Sequence, residues 1–216
     1  MIWAQVLLIP FSFLCGSIPF AVIVGRMRGI DVMTQGSCNP GASNVYRLAG
    51  PIPGIMVFLL DVAKGALPAL AGMYLAVHDL SGNATEPSPV LQIWLELGAG
   101  FSAAFGHIFS PFLKFKGGKG VATFLGVFLV IFPAGILTAC ALAAVAILIT
   151  RYFSVGSILG AIVLPVSYFF FVDPVWAPQN VPVLCLTLLA SVVILIRHRE
   201  NISRLIKGTE HKTRHV

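Results

Sequence analysis

The chain has 216 residues, 57% of them hydrophobic and only 10% charged, with a formal net charge of +6. Soluble domains carry roughly a quarter charged residues, so the composition calls for an all-α polytopic membrane protein, one integral domain over residues 1–216 with no room for a soluble one. Apart from Lys64 the basic residues fall in loops and at the tail, which suits anionic lipid or an anionic substrate and argues against a nucleic-acid partner.

Residues 3–24 form an apolar run long enough to cross a bilayer. Gly16, Ser17 and Pro19 interrupt it, as helices tolerate where a neighbour packs closely. Apolar residues follow Met1 without the basic n-region of a signal peptide, so the run is expected to be a retained span. Residues 26–50 are polar, too long for a tight turn and without apolar period, which reads as a functional loop. The run 51–77 carries Asp61 and Lys64, i and i+3 on one helix face. Charges within a span point to a functional site, or to an internal ion pair that only orients the helix; both readings stand. A connector over 78–89 carries Asp79 and Glu86 and no Lys or Arg.

The run 90–113 contains Gly106-His107 and leads into Lys114-Phe115-Lys116-Gly117-Gly118-Lys119-Gly120. Glycines leave backbone N–H groups uncovered and permit positive φ, and lysines among such amides make a site for a phosphate dianion. Alone, the stretch reads equally as a cytoplasmic turn with positive-inside lysines. The stretch 121–150 is apolar and broken near Pro133, residues 154–172 carry Gly156 and Gly160 in GxxxG spacing, and residues 181–196 form the last span before a basic tail.

The positive-inside rule puts the loops with Arg26, Arg28 and Arg47, and with Lys114, Lys116 and Lys119, and also the tail, on the cytoplasmic side. The connectors around Asp79 and Asp173, and the N-terminus, then lie outside. That demands an odd number of crossings, met if 121–150 doubles back. About seven transmembrane helices are expected, with two short helices or a re-entrant hairpin over 121–150, which is short for two spans of about 20 residues each.

Three polar segments then share one side: 35–47, the basic glycine loop, and 197–210. The first offers Ser37, Ser43, Asn39, Asn44 and Arg47, whose fork suits phosphate. In the third, His198 and Asn201 are i, i+3 on a continuing helix; interfacial snorkelling by the arginines is the alternative there. No Walker A, HExxH or GxSxG motif occurs. Cys15, Cys140 and Cys185 lie in apolar runs and Cys38 in a polar loop, with no CxxC pair. His211 and His215 sit in the polar tail as a solvated face. No metal or cofactor is expected.

Together the three segments resemble the bacterial acyl-phosphate-dependent glycerol-3-phosphate acyltransferase family, whose motifs look like GSGNxGATNVxR, FKGGKGVAT and HxxNIxRLxxGxE. Here they read from Gly36 to Arg47, from Phe115 to Thr123 and from His198 to Glu210. The Asp61-x-x-Lys64-Gly65 and Gly106-His107 patterns also match, so the likeness covers nearly the whole chain in order. Cys38 stands where the motif has its second glycine, so that turn is expected to avoid positive φ; Ser43 replaces a threonine and keeps the hydroxyl.

The resemblance implies acyl transfer from a fatty acyl phosphate to the 1-hydroxyl of glycerol 3-phosphate. This would yield lysophosphatidate and phosphate at the bacterial inner membrane, supplied by an acyl-phosphate-producing enzyme. Lys119 with the amides of Gly117, Gly118 and Gly120 is expected to cradle phosphate, with Lys116 alongside. Arg47 and Ser37 would take the other phosphate or the developing charge, and Asn39 and Asn44 would contact substrate. His198 and Asn201 would orient the glycerol, with either His198 or a substrate phosphate oxygen as base. Glu210 would anchor the third motif through a cation. The acyl chain would lie between helices, open to lipid. Direct transfer ranks above an acyl-enzyme on Ser37 or Cys38, and no His-x-x-x-x-Asp pattern of CoA-dependent acyltransferases occurs. The competing class is a small transporter or flippase for a phosphorylated solute, disfavoured because such sites lie near the midplane on broken helices.

Overall fold

A computed structural model describes residues 2–77 and 89–213, and among these all regular structure is helical. Helix α1 (Ile2–Ser17) stops where Pro19 lacks the N–H needed to continue, and α2 (Phe20–Met27) resumes at once. Together Gln5–Met27 makes one apolar stretch of 23 residues. The polar segment that follows is not wholly irregular, for it contains the amphipathic helix α3 (Ala42–Ala49). The turn at Gly50, at φ 92°, then directs the chain into α4 (Pro51–Val77), which spans the second apolar run end to end.

Helix α5 (Pro89–Ile108) leads through a short 3-10 turn, Pro111–Leu113, to the glycine loop. The 121–150 stretch divides at Phe132: α6 (Val121–Ile131) has 11 residues and α7 (Pro133–Thr150) has 18, with Pro133 at its first position. At 1.5 Å per residue α6 is about 16 Å long, well short of a hydrocarbon core of about 30 Å. Helices α8 (Phe153–Phe171), α9 (Val181–Arg197) and α10 (Arg199–Ile206) complete the chain. Among the described residues four helical stretches are long and apolar enough to cross a membrane, five if the bent α9–α10 pair counts as one. The connector with Asp79 and Glu86 lies in 78–88, outside the described residues.

Small residues bring the helices together. A Cβ on Gly16 of α1 would strike the backbone of Ala103 on α5, and one on Gly106 would strike that of Phe13. Gly65 of α4 and Gly126 of α6 meet in the same way across Thr123 and Val62. In lipid there is no hydrophobic drive between helices, so close backbone approach supplies the packing. Of the expected GxxxG pair, Gly156 presses on Ile147 and Ala143 of α7, whereas Gly160 has ordinary clearance of 3.6 Å. A core of Phe101, Phe124, Phe128, Phe132 and Tyr168 fills the bundle, while side chains such as Phe11, Ile52, Leu148 and Phe170 face outward, where lipid covers them.

Two local expectations are corrected. The turn at Cys38 does adopt positive φ, at 53°; the segment just before it is pinned to Asn44 through Val32, Gln35 and Ser37, and that constraint outweighs a steric cost of about 1–2 kcal/mol. Nor does a helix continue through His198: α9 and α10 meet there at 55°.

Candidate active site

The three polar segments converge at one end of the bundle. The first is organised by Asn44, which is fully buried. Its Oδ1 accepts from the Ser37 amide at 2.9 Å, and its Nδ2 donates to the carbonyls of Val32 and Gln35 at 3.1 and 3.0 Å. Asn44 is therefore engaged with its own loop, not turned to a ligand. Ser37 accepts a hydrogen bond from Arg47 Nη2 at 3.0 Å, and both line a cavity of about 450 Å³, as does Asn39. Burial lowers the Arg47 guanidinium from its usual value, Glu210 opposing and Arg204 assisting; it remains a cation.

The glycine loop is arranged differently from the expectation. The amides of Gly117 and Gly118 donate to the carbonyls of Ile108 and His107 at 3.1 Å each, so they satisfy the C-terminal end of α5 and cannot cradle a phosphate. Their lack of side chains has the same cause, since a Cβ on either would strike His107 or the Ile108 backbone. Gly120, at φ 85°, caps α6 and lines the cavity with Val121 and Ala122. The first amides of α6 have no partner within the helix, so its positive end opens on the cavity. Lys116 is exposed outside the cavity lining, with Lys114 and Phe115, and does not join the other predicted residues.

Lys119 enters the cavity and donates to Asn201 Oδ1. Asn201 Nδ2 donates to Glu210 Oε1 at 2.7 Å, Ser154 Oγ to the same oxygen at 2.9 Å, and Arg204 Nε to Glu210 Oε2 at 2.8 Å. Glu210 thus ties the third motif together through Arg204, and Ser154 adds the first turn of α8. A further bond, Thr213 N–H to Arg151 O at 2.8 Å, holds the tail against the α7–α8 connection. Burial would raise the Glu210 carboxyl, but the bonds from Asn201, Arg204 and Ser154 hold it below its usual value. Burial lowers the Lys119 ammonium to about 8, with Glu210 opposing and Arg204 and Arg47 assisting.

His198, at the α9–α10 bend, is 2% exposed and lines the cavity. Its Nδ1 lies 2.8 Å from Ile194 O. Burial first, then Lys119, lowers its pKa to about 4, so the ring is neutral near pH 7. With Nδ1–H donating to that carbonyl, Nε2 keeps its lone pair.

Two contributors were missed from sequence. Arg197 Nη2 donates to the carbonyls of Gly117 and Gly118 at 2.9 and 3.0 Å, fixing the glycine loop against α9, where snorkelling was the simpler expectation. Ser154 carries no motif around it; only its position in the first turn of a helix behind Arg151 hinted at a site.

Beyond this polar end the cavity runs on between apolar walls from α4, α6, α7, α8 and α9. The sequence model described as glycerol-3-phosphate acyltransferase matches residues 6–208. This chain belongs to that family. Relatives called glycerol-3-phosphate acyltransferase include a protein of Trichlorobacter lovleyi, 44% identical over 201 residues that cover 93% of each chain. Another, of Geobacter sulfurreducens, is 38% identical over 209 residues, covering 96% of this chain and 97% of its own. Crystal structures of PlsY (YgiH), described as an integral membrane glycerol 3-phosphate acyltransferase, superpose with TM-scores of 0.82 for the glycerol 3-phosphate form and 0.79 for the lysophosphatidic acid form. Each is 34% identical and the match covers 97% of this chain and 95% of that one. The family assignment overrides the transporter alternative.

Proposed function

We propose that the protein transfers an acyl group from a fatty acyl phosphate to the 1-hydroxyl of glycerol 3-phosphate, giving lysophosphatidate and inorganic phosphate. The observation that carries this reading is one cavity with two chemistries: a cationic mouth of Arg47 and Lys119 beside Glu210, and an apolar interior. A phosphate on a fatty chain and a second phosphate on a small polyol are the ligands such a shape suits. The forms in which the PlsY relative was crystallised are a substrate and a product of the same type.

In the proposed reaction the 1-hydroxyl oxygen bonds to the acyl carbon, the bond from that carbon to the phosphate oxygen breaks, and phosphate leaves with the bonding electrons. The hydroxyl proton goes to His198 Nε2 or directly to the departing phosphate. The low basicity of His198 favours the second route, with the imidazole accepting a hydrogen bond that aims the hydroxyl. An acyl phosphate carries a good leaving group, so positioning and charge stabilisation supply most of the acceleration. Lys119 with the α6 N-terminus holds one phosphate, in place of the Gly117 and Gly118 amides. Arg47 and Ser37 hold the other, and Asn39 at the rim adds a carboxamide. Asn201 orients Lys119, and Glu210 orients Asn201; Asn44 shapes the loop that presents Ser37. The partner of Ser37 is a guanidinium that donates to it instead of taking its proton, which favours direct transfer over an acyl-enzyme.

In the membrane, the α1–α2 unit and α4 to α9 make seven helical segments, with the short α6 reaching the surface through the glycine loop. This supports a site on the cytoplasmic face of the bacterial inner membrane, with the N-terminus outside and the C-terminus inside. Substrate supply then requires an enzyme that makes acyl phosphates.

The test is turnover by purified protein in lipid discs with glycerol 3-phosphate and, side by side, palmitoyl phosphate, palmitoyl-CoA and palmitoyl acyl carrier protein. Lysophosphatidate and phosphate are expected in equal amounts from the acyl phosphate alone. Product from the thioesters but not from the acyl phosphate would sink the donor assignment.

A further inference from the structure

The apolar part of the cavity has a defined direction and a defined end. On α7 its lining residues are Ile136, Ala139, Cys140, Ala143, Ala144 and Ile147, the i, i+3, i+4 set of one helix face. On α8 they run from Ser154 through Gly156, Ser157, Gly160 and Ala161 to Leu164. Ile147 and Ser154 belong to the polar mouth, where Glu210 bonds Ser154. Eleven residues away on α7 and ten on α8, about 15–16 Å at 1.5 Å per residue, the lining stops at Ile136 and Leu164, both buried.

On α7 and α8 the lining between these ends is alanine, glycine, serine and cysteine, so a slot stays open in front of the two packed helices, walled on its other sides by residues such as Phe58, Phe124, Leu125 and Ile194. Past its end the space closes. The buried Phe132 and Tyr168 pack edge to face with ring centroids 5.0 Å apart, and Tyr168 is anchored by its hydroxyl on Asn180 O at 2.8 Å. Phe132 in turn is pressed against Gly135, where a Cβ would strike its ring. A methyl terminus pushed beyond Leu164 would have to displace this braced pair, whereas Leu164 and Ile136 themselves are stops of one branched side chain each.

We propose that the α7–α8 slot measures the acyl chain, with Ile136 and Leu164 as the stop that sets its preferred length and the Phe132–Tyr168 pair as the wall behind them. The inference rests on the acyl-transfer reading for its ligand, a single saturated fatty tail, but not on the identity of the activated donor. An apolar pocket discriminates one methylene by about tenfold or more, so a closed end is enough to select among chains differing by two carbons. Gly160 lines the cavity about half-way along, and a Cβ there would make ordinary contacts of 3.6 Å with Ala139 and Ala143 of α7, so a larger side chain at this position takes up space the chain would occupy.

The experiment compares kcat/KM over donors of 12, 14, 16 and 18 carbons for the wild type, Leu164→Ala, Ile136→Ala, Gly160→Leu and the lipid-facing control Ile162→Ala, which is 48% exposed. The donor class used is whichever the wild type accepts. Leu164→Ala and Ile136→Ala are expected to move the optimum toward longer chains, with the ratio between adjacent lengths changing about tenfold. Gly160→Leu is expected to move it shorter, and Ile162→Ala to leave the profile in place. A second readout needs no turnover. In protein whose other cysteines are serine, alkylation of Cys140 is expected to be slowed by palmitoyl lysophosphatidate and not by glycerol 3-phosphate. Uniform loss across chain lengths in all three slot variants, or a Cys140 that alkylates at the same rate with and without the lysolipid, overturns the ruler. Loss of turnover with acyl phosphate alone would refute the donor while leaving both readouts of the ruler measurable.

Discussion

Two polar clusters inside this bundle are built from the same residue types and behave differently. In the first, Lys64 pairs with Asp61 at 2.7 Å and donates to Ile18 O at 2.9 Å, with His107 Nδ1 3.7 Å from the same carboxylate. The pair is almost fully buried, and Lys64 faces a void of about 10 Å³, the room of one water, while Asp61 and His107 also reach the edge of the larger cavity. In the second, Lys119, Arg47 and Arg204 stand around the carboxylate of Glu210 at the mouth of a 450 Å³ cavity, with the exposed Glu200 4.0 Å from Arg204 Nη1, three cations against two carboxylates. The first balances its charges and closes the break between α1 and α2; the second leaves cations in excess and opens. A lysine within a membrane bundle therefore marks a ligand site when its neighbours leave its charge uncompensated and there is space in front of it. A lysine matched by a buried carboxylate marks a joint.

That contrast can be broken by variants. The largest effect is expected at the closed pair. Asp61→Ala strands the Lys64 charge and should cost about 3–5 kcal/mol of stability, read as a fall in the thermal midpoint in detergent. The double variant Asp61→Leu with Lys64→Met should recover most of it, and failure to recover would show that Asp61 does more than balance Lys64. At the open site, Lys119→Ala should lower kcat/KM by about 10²–10³ while the midpoint moves little. A stability loss as large as that of Asp61→Ala would erase the distinction between the clusters.

Glu210→Gln keeps the shape but weakens the bonds to Arg204 and Asn201. A loss of about tenfold, of the order of one charge-assisted hydrogen bond, is expected mainly in KM for glycerol 3-phosphate, because the carboxylate aims binding groups and does not touch the reacting carbon. The smallest effect concerns pH. Burial lowers both Lys119, to about 8, and His198, to about 4. The cation is therefore lost as pH rises through about 8, and the neutral imidazole is lost as pH falls through about 4. The kcat/KM profile should be highest between these limits. Lys119→Arg should remove the alkaline limb and leave the acid one, and an alkaline limb that persists would belong to another group.

Much of the site was legible in the sequence because phosphate recognition draws on few residue types and the three segments carry them in dense clusters. Ser37, Asn39, Arg47, Lys119, Gly120, His198, Asn201 and Glu210 all reach the cavity lining. The role of the glycines was not legible: Gly117 and Gly118 look like a phosphate cradle by composition, yet their amides belong to the end of α5. Arg197 and Ser154 were invisible because their partners, the glycine-loop carbonyls and Glu210, are 79 and 56 residues away.

By itself the sequence determined that this is a helical membrane protein, where its apolar runs begin and end, and that its polar segments resemble one family of acyltransferases. Those follow from composition and local pattern, since the bilayer requires every spanning backbone group to be satisfied within a helix. Which lysine faces the large cavity and which is locked in a joint, which amides are free, and where the apolar lining stops were decided only by the tertiary structure. Each depends on what a distant helix brings within hydrogen-bonding or van der Waals reach, and residue order alone does not encode that distance.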